Sequence, residues 1–111
     1  MKKRELLEYY VGRLNPLSIV MLTMLWWMNG EMSAEDRDYV LNLVGYTYNS
    51  AAKTLSNGEA RTIYQLFLAC INEVYPSEII LDAPLMQTFI EIAHFNGFLT
   101  TEEKTGLVAL L

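Results

Sequence analysis

Between Leu17 and Met28 the chain is apolar almost without a break, interrupted only by Ser18 and Thr23. Asn15 can cap free backbone amides, and Pro16 suits the first helical position because it loses no hydrogen bond there. Asn29-Gly30 is a stop signal, since glycine accepts the left-handed conformation that ends many helices. On a helical wheel Leu17, Met21, Met24 and Met28 form one face, and Ile19, Leu22 and Trp26 form another. A helix apolar on every side is either a membrane span or the core of a helical domain. The stretch 17–28 rises only about 18 Å, and a bilayer core needs roughly 30 Å. The pattern predicts a buried central helix over 16–28, with no membrane span. A secretory leader fits poorly, because no small-residue cleavage site follows.

The other apolar positions recur at helical spacing around it. Over residues 3–14, Leu6, Leu7, Tyr10, Val11 and Leu14 share a face. Ser33 is a good cap for a helix expected over 34–56, with Glu35 and Asp36 at its positive end. Its inner face would carry Val40, Leu43, Val44, Thr47, Ala51 and Leu55. Gly45 inside it would mark close backbone packing, and Asn57-Gly58 would end it. A fourth helix over 59–74 turns Ile63, Leu66, Phe67, Cys70, Ile71 and Val74 inward, until Tyr75-Pro76-Ser77 breaks it. Residues 77–81 fit either a helical turn or an extended piece. Asp82-Ala83-Pro84 opens a fifth helix to 95, with Met86, Phe89, Ile90 and Ala93 facing inward. Thr100 and Glu103 form a capping box for a sixth helix, running to the apolar end of the chain. The predicted fold is all-α: one domain over 1–111, a compact bundle of five to six helices built from helical hairpins.

One unit occurs twice. Residues 28–37 and 95–104 both read apolar, Asn, Gly, any, apolar, hydroxyl, small or polar, Glu, acid, base. This is a helix stop, a plugged corner and a capped start. The second copy also resembles the back half of an EF-hand loop. Its early ligand positions would fall on Ile92, His94 and Asn96, which lack the carboxylates that calcium requires. No calcium site is expected.

Composition narrows the function. Hydrophobic residues make up 52% of the 111, which excludes disorder, and mean hydropathy is +0.17. A domain this small and this apolar is expected to cover part of its surface with a partner protein or a second copy, as a homodimer. Net charge is −5; residues 1–13 carry +2, leaving −7 over the rest. That balance argues against nucleic acid, whose phosphates reward basic surfaces. A lone cysteine, Cys70, excludes an internal disulfide and fits a cytoplasmic location.

Chemistry-bearing residues are sparse. His94 is the only histidine, with no partner at a zinc-ligand spacing. Cys70 falls on an inner face, where a thiol is structural. No phosphate-cradling loop or nucleophile motif is present, no cofactor is expected, and no family signature stands out. The candidate interface is Tyr39 and Tyr46, seven apart on the predicted third helix, with Lys53 nearby; tyrosine is enriched at interfaces. The sequence is read as a non-enzymatic, acidic interaction or regulatory module. A sharper form is an inhibitor that masks a basic, nucleic-acid-binding surface on a larger protein. Two rivals remain: a small-molecule or enzymatic bundle around His94, and a helix-turn-helix nucleic-acid binder.

Overall fold

The computed structural model describes residues 2–78 and 82–111. In chain order the elements are α1 (Lys3–Tyr10), α2 (Pro16–Met28), α3 (Ala34–Leu43), β1 (Thr47–Asn49), β2 (Thr54–Ser56), β3 (Ala60–Thr62), α4 (Ile63–Glu73), α5 (Ala83–Phe95) and α6 (Thr101–Ala109). The central helix has the bounds its sequence predicts. Asn15 Oδ1 accepts the Leu17 N–H at 2.9 Å, and Pro16 takes the first position. Every residue from Leu17 to Leu25 is buried, and α1, α3, α4 and α5 all pack against this helix. Its two polar side chains are satisfied, as burial demands. Thr23 donates to the Ile19 carbonyl at 2.6 Å, and Ser18 donates to the Glu78 carboxylate. The other oxygen of Glu78 accepts the Asn15 N–H at 2.8 Å.

The fold is not all-α. Six helices are joined, among the described residues, by a three-stranded antiparallel sheet of order β1-β2-β3. The helix expected over 34–56 ends at Leu43. Gly45 sits at φ +81°, its N–H donates to the Asn42 carbonyl at 3.1 Å, and the Tyr46 N–H donates to the Leu41 carbonyl at 2.9 Å. That pair of bonds closes a helix through a left-handed residue. Gly45 is therefore a stop, not an interior glycine. Beyond it the burial period changes from helical to two. Tyr48, Leu55 and Arg61 stand in register across the strands, with Leu55 buried and the other two half-buried. Thr47, Asn49, Ala60 and Thr62 are exposed. Thr47 and Ala51 fell into the helical spacing by coincidence.

The turns explain the remaining shifts. Asn49 Oδ1 accepts the N–H groups of Ala51 and Ala52 at 3.0 and 3.1 Å, which folds the β1–β2 connection. Asn57-Gly58 is a hairpin turn between β2 and β3, with Gly58 at φ +111°. Helix α4 starts at Ile63, later than expected, because Thr62 and Gln65 cap one another at 3.2 and 2.9 Å. Helix α1 ends at Tyr10, short of the expected Leu14. Helix α5 keeps its expected bounds, and α6 opens with the Thr100–Glu103 capping box. The ambiguous stretch 77–81 lies mostly outside the described residues. Among the described residues, no helix is long and apolar enough to cross a membrane.

Candidate interaction surface

The three residues expected to form an interface are not brought together. Tyr39 lies on α3, 44% exposed, with the Arg4 guanidinium 5.4 Å from its ring and its hydroxyl donating to Glu8 at 3.4 Å. Tyr46 follows the end of α3 and is buried; its hydroxyl accepts from Asn57 Nδ2 at 3.3 Å. Lys53 belongs to the β1–β2 turn. The stripe required one helix through both tyrosines, and Gly45 ends that helix between them.

Lys53 instead joins an aromatic layer. Its ammonium is 5.2 Å from the Phe98 ring centroid and donates to the Gly97 carbonyl at 3.5 Å. Phe98 lies 6.2 Å from Trp27 and 6.5 Å from Tyr48, and those two rings are 5.4 Å apart. Arg37 is buried against them, with its guanidinium 4.4 Å from the Trp27 ring and 4.5 Å from the Tyr48 ring. Its Nε bonds Asp38 at 2.9 Å. A planar, weakly hydrated guanidinium tolerates such stacking where an ammonium would not. Burial pushes the Tyr48 phenol above the usual tyrosine range; Arg37 opposes that shift and Asp38 adds to it. The layer ties α2, α3, β1 and the corner after α5 together.

The most exposed large apolar side chain among the described residues is Phe95, at 89%. It is the last residue of α5. The inner face of that helix is Met86, Phe89, Ile90 and Ala93, and Phe95 lies about 200° around the wheel from Ala93. That offset is the signal sequence reasoning passed over. At its foot runs an open groove of about 420 Å³, lined by Met28, Asn29, Glu91, Ile92, Phe95 and Asn96. It is formed where the C-termini of α2 and α5 meet. Its floor is half-buried Met28 and Ile92, and both its asparagines are helix caps.

His94 and Cys70 stand apart from that groove. His94 is half-buried and its Nε2 lies 3.3 Å from Thr101 Oγ1; it lines neither the groove at Phe95 nor those beside Arg4, Gln87 and Tyr46. Cys70 is a buried free thiol, pushed up to about 12 by burial first, then by Glu78 and Glu73. A protonated, enclosed thiol is a poor nucleophile. Lys104, the one base on α6, is held by Glu91 at 3.0 Å. The described residues gather no group of three or more His, Cys, Asp or Glu side chains suited to a metal. Comparison with known protein families, with curated proteins and with solved structures found no match.

Proposed function

We propose that this chain is a non-enzymatic protein-interaction module whose contact surface is the end of the molecule around Phe95. The observation that carries the reading is the 89% exposure of that phenyl beside an apolar-floored groove. Burying a phenyl yields about 1.5–3 kcal/mol, and aromatic side chains in pockets dominate binding energies. The surroundings support a rigid presentation. Both helix ends at the groove are closed by a left-handed glycine, Gly30 at φ +76° and Gly97 at φ +81°.

The inhibitor form of this reading draws on net charge alone. Among the described residues, six of the thirteen acids sit in ion pairs. Glu78, Asp82 and Glu103 are further used as hydrogen-bond acceptors at helix starts.

The reading is tested with a photo-reactive benzoylphenylalanine at position 95 and, as a control, at exposed Thr105. Irradiation in an extract of the source cells should give one discrete adduct from position 95 and none from 105. No adduct from 95, or the same adducts from both sites, would overturn it.

A further inference from the structure

We propose that the groove beside Phe95 is filled by the Phe95 of a second copy of this chain, docked about a two-fold axis. This rests on the interaction-surface reading above. Knob and socket stand side by side on one face. The phenyl is 89% exposed, so it does not fill the groove it borders. A cavity of about 150 Å³ already accepts a benzene ring, and this groove is about 420 Å³. In a two-fold pair one surface supplies both halves of the contact: each phenyl enters the other copy's groove.

Charge makes this groove a place where two acidic copies can meet. The chain carries −5, which attracts cations to most of its surface and sets two copies against each other. The groove rim is an exception. Glu91 is held by Lys104 at 3.0 Å, and Glu31, bonded to the Asn29 amide at 2.9 Å, is 3.8 Å from the Lys3 ammonium. Each of these acids faces a base of its own copy, so the rim is locally neutral and two copies meet there with less repulsion than the net charge implies. The asparagines add self-complementary groups. Asn29 spends one amide N–H on Glu31, and Asn96 spends one on the Ile92 carbonyl at 2.8 Å. Among the described residues, each keeps an amide oxygen and a second N–H, the acceptor and donor that reciprocal pairing needs. The groove has six lining residues, against roughly 20–30 residues a side in a standard interface, so the dimer is weak.

The test is sedimentation of the full chain from micromolar to millimolar concentration. The parent should pass from monomer to dimer. Phe95→Ser should weaken the dimer at least about tenfold while keeping the parent's circular dichroism and melting, because the ring supports no core contact. Asn96→Arg, which sets like charges face to face across the axis, should do the same. Benzoylphenylalanine at 95, irradiated in a mixture of isotopically light and heavy copies, should link to Met28 or Ile92 of the other copy. A parent that stays monomeric at millimolar concentration overturns the proposal, as does a dimer indifferent to both substitutions. In that event a foreign-mass adduct from position 95 in extract would keep the interaction-surface reading, and the absence of any adduct would remove both.

Discussion

Residues 28–37 and 95–104 are one corner built twice, and they differ where the backbone does not constrain them. In both, the glycine is left-handed and the residue after it donates back into the helix: Glu31 to the Trp26 carbonyl at 2.7 Å, Phe98 to the Ala93 carbonyl at 2.9 Å. In both, an apolar residue plugs the corner, Met32 at 8% exposure and Leu99 at 5%. In both, a hydroxyl caps the next helix, with Ser33 accepting the Asp36 N–H and Thr100 the Glu103 N–H, each at 3.1 Å. The flanks then diverge. The base that ends the first unit, Arg37, is buried against two rings, while its counterpart Lys104 makes an ion pair with the more exposed Glu91. The residue that opens the first unit, Met28, is half-buried, while its counterpart Phe95 stands in solvent. Turn chemistry selects the stop, the plug and the cap. It leaves free which corner is drawn into the core and which is turned outward.

The shared part of the corner is broken hardest at its plug. Met32→Ala and Leu99→Ala should each cost about 2–4 kcal/mol in denaturant unfolding, the usual range for emptying a buried site. A loss below about 0.5 kcal/mol at either position would mean that the two corners are not packed alike. The divergent part is tested next, at the terminal bases. Arg37→Ala removes a desolvated guanidinium lying over two rings and should cost about 2 kcal/mol. Lys104→Ala removes a surface pair and should cost less than about 0.5 kcal/mol. Equal losses would erase the distinction between an inward and an outward corner.

The glycines give a smaller effect and extend the comparison to a third stop. Gly30→Val, Gly45→Val and Gly97→Val should each cost about 1–2 kcal/mol or somewhat more, because a branched residue is forced into positive φ. Steric overlap contributes little. A Cβ at Gly30 or Gly45 meets nothing within 4 Å, and at Gly97 only the flexible Lys53 ammonium at 3.4 Å. Similar melting losses at all three would establish Gly45 as the equal of the two Asn-Gly stops.

That third stop marks where the sequence stopped being legible. The central helix announced itself through a cap, a first-turn proline and an Asn-Gly end, and its bounds are as read. At Val44-Gly45 the glycine follows a branched apolar residue, and Val40, Val44, Thr47, Ala51 and Leu55 keep helical spacing across it. The three-residue strands beyond are too short to display a period of their own. Each turns one residue inward, and two of those, Tyr48 and Arg61, are polar. The pattern therefore favoured a long helix, and with it a tyrosine stripe that the fold splits between surface and core. Arg37 was illegible for another reason. An arginine beside Asp36 and Asp38 reads as solvated, and only the rings of Trp27 and Tyr48, brought from elsewhere in the chain, make its burial favourable. Phe95 was legible from its place on the α5 wheel, opposite the inner face.

The smallest effect is spectroscopic, and it falls on the side chain between the two corners. The Tyr48 ring packs on Trp27, which immediately precedes the first, and on Phe98 of the second. Its phenol is raised by burial first; Arg37 lowers it and Asp38 raises it. The folded chain therefore holds this proton more tightly than the unfolded chain does. Below the usual tyrosine range both states are protonated and this group adds no pH dependence. Above that range the unfolded chain ionises first, so stability falls with pH until the folded phenol ionises too. Tyr48→Phe should remove that part of the alkaline loss, and its difference spectrum against the parent isolates the Tyr48 phenolate. Asp38→Asn should move the titration down toward the ordinary range, since it deletes a negative charge and frees Arg37 from its ion pair. Lys104→Ala, the change at the equivalent base of the outward corner, should leave the titration in place. If Asp38→Asn does not move it either, Asp38 exerts no field on the ring, and burial against Arg37 alone sets the Tyr48 titration.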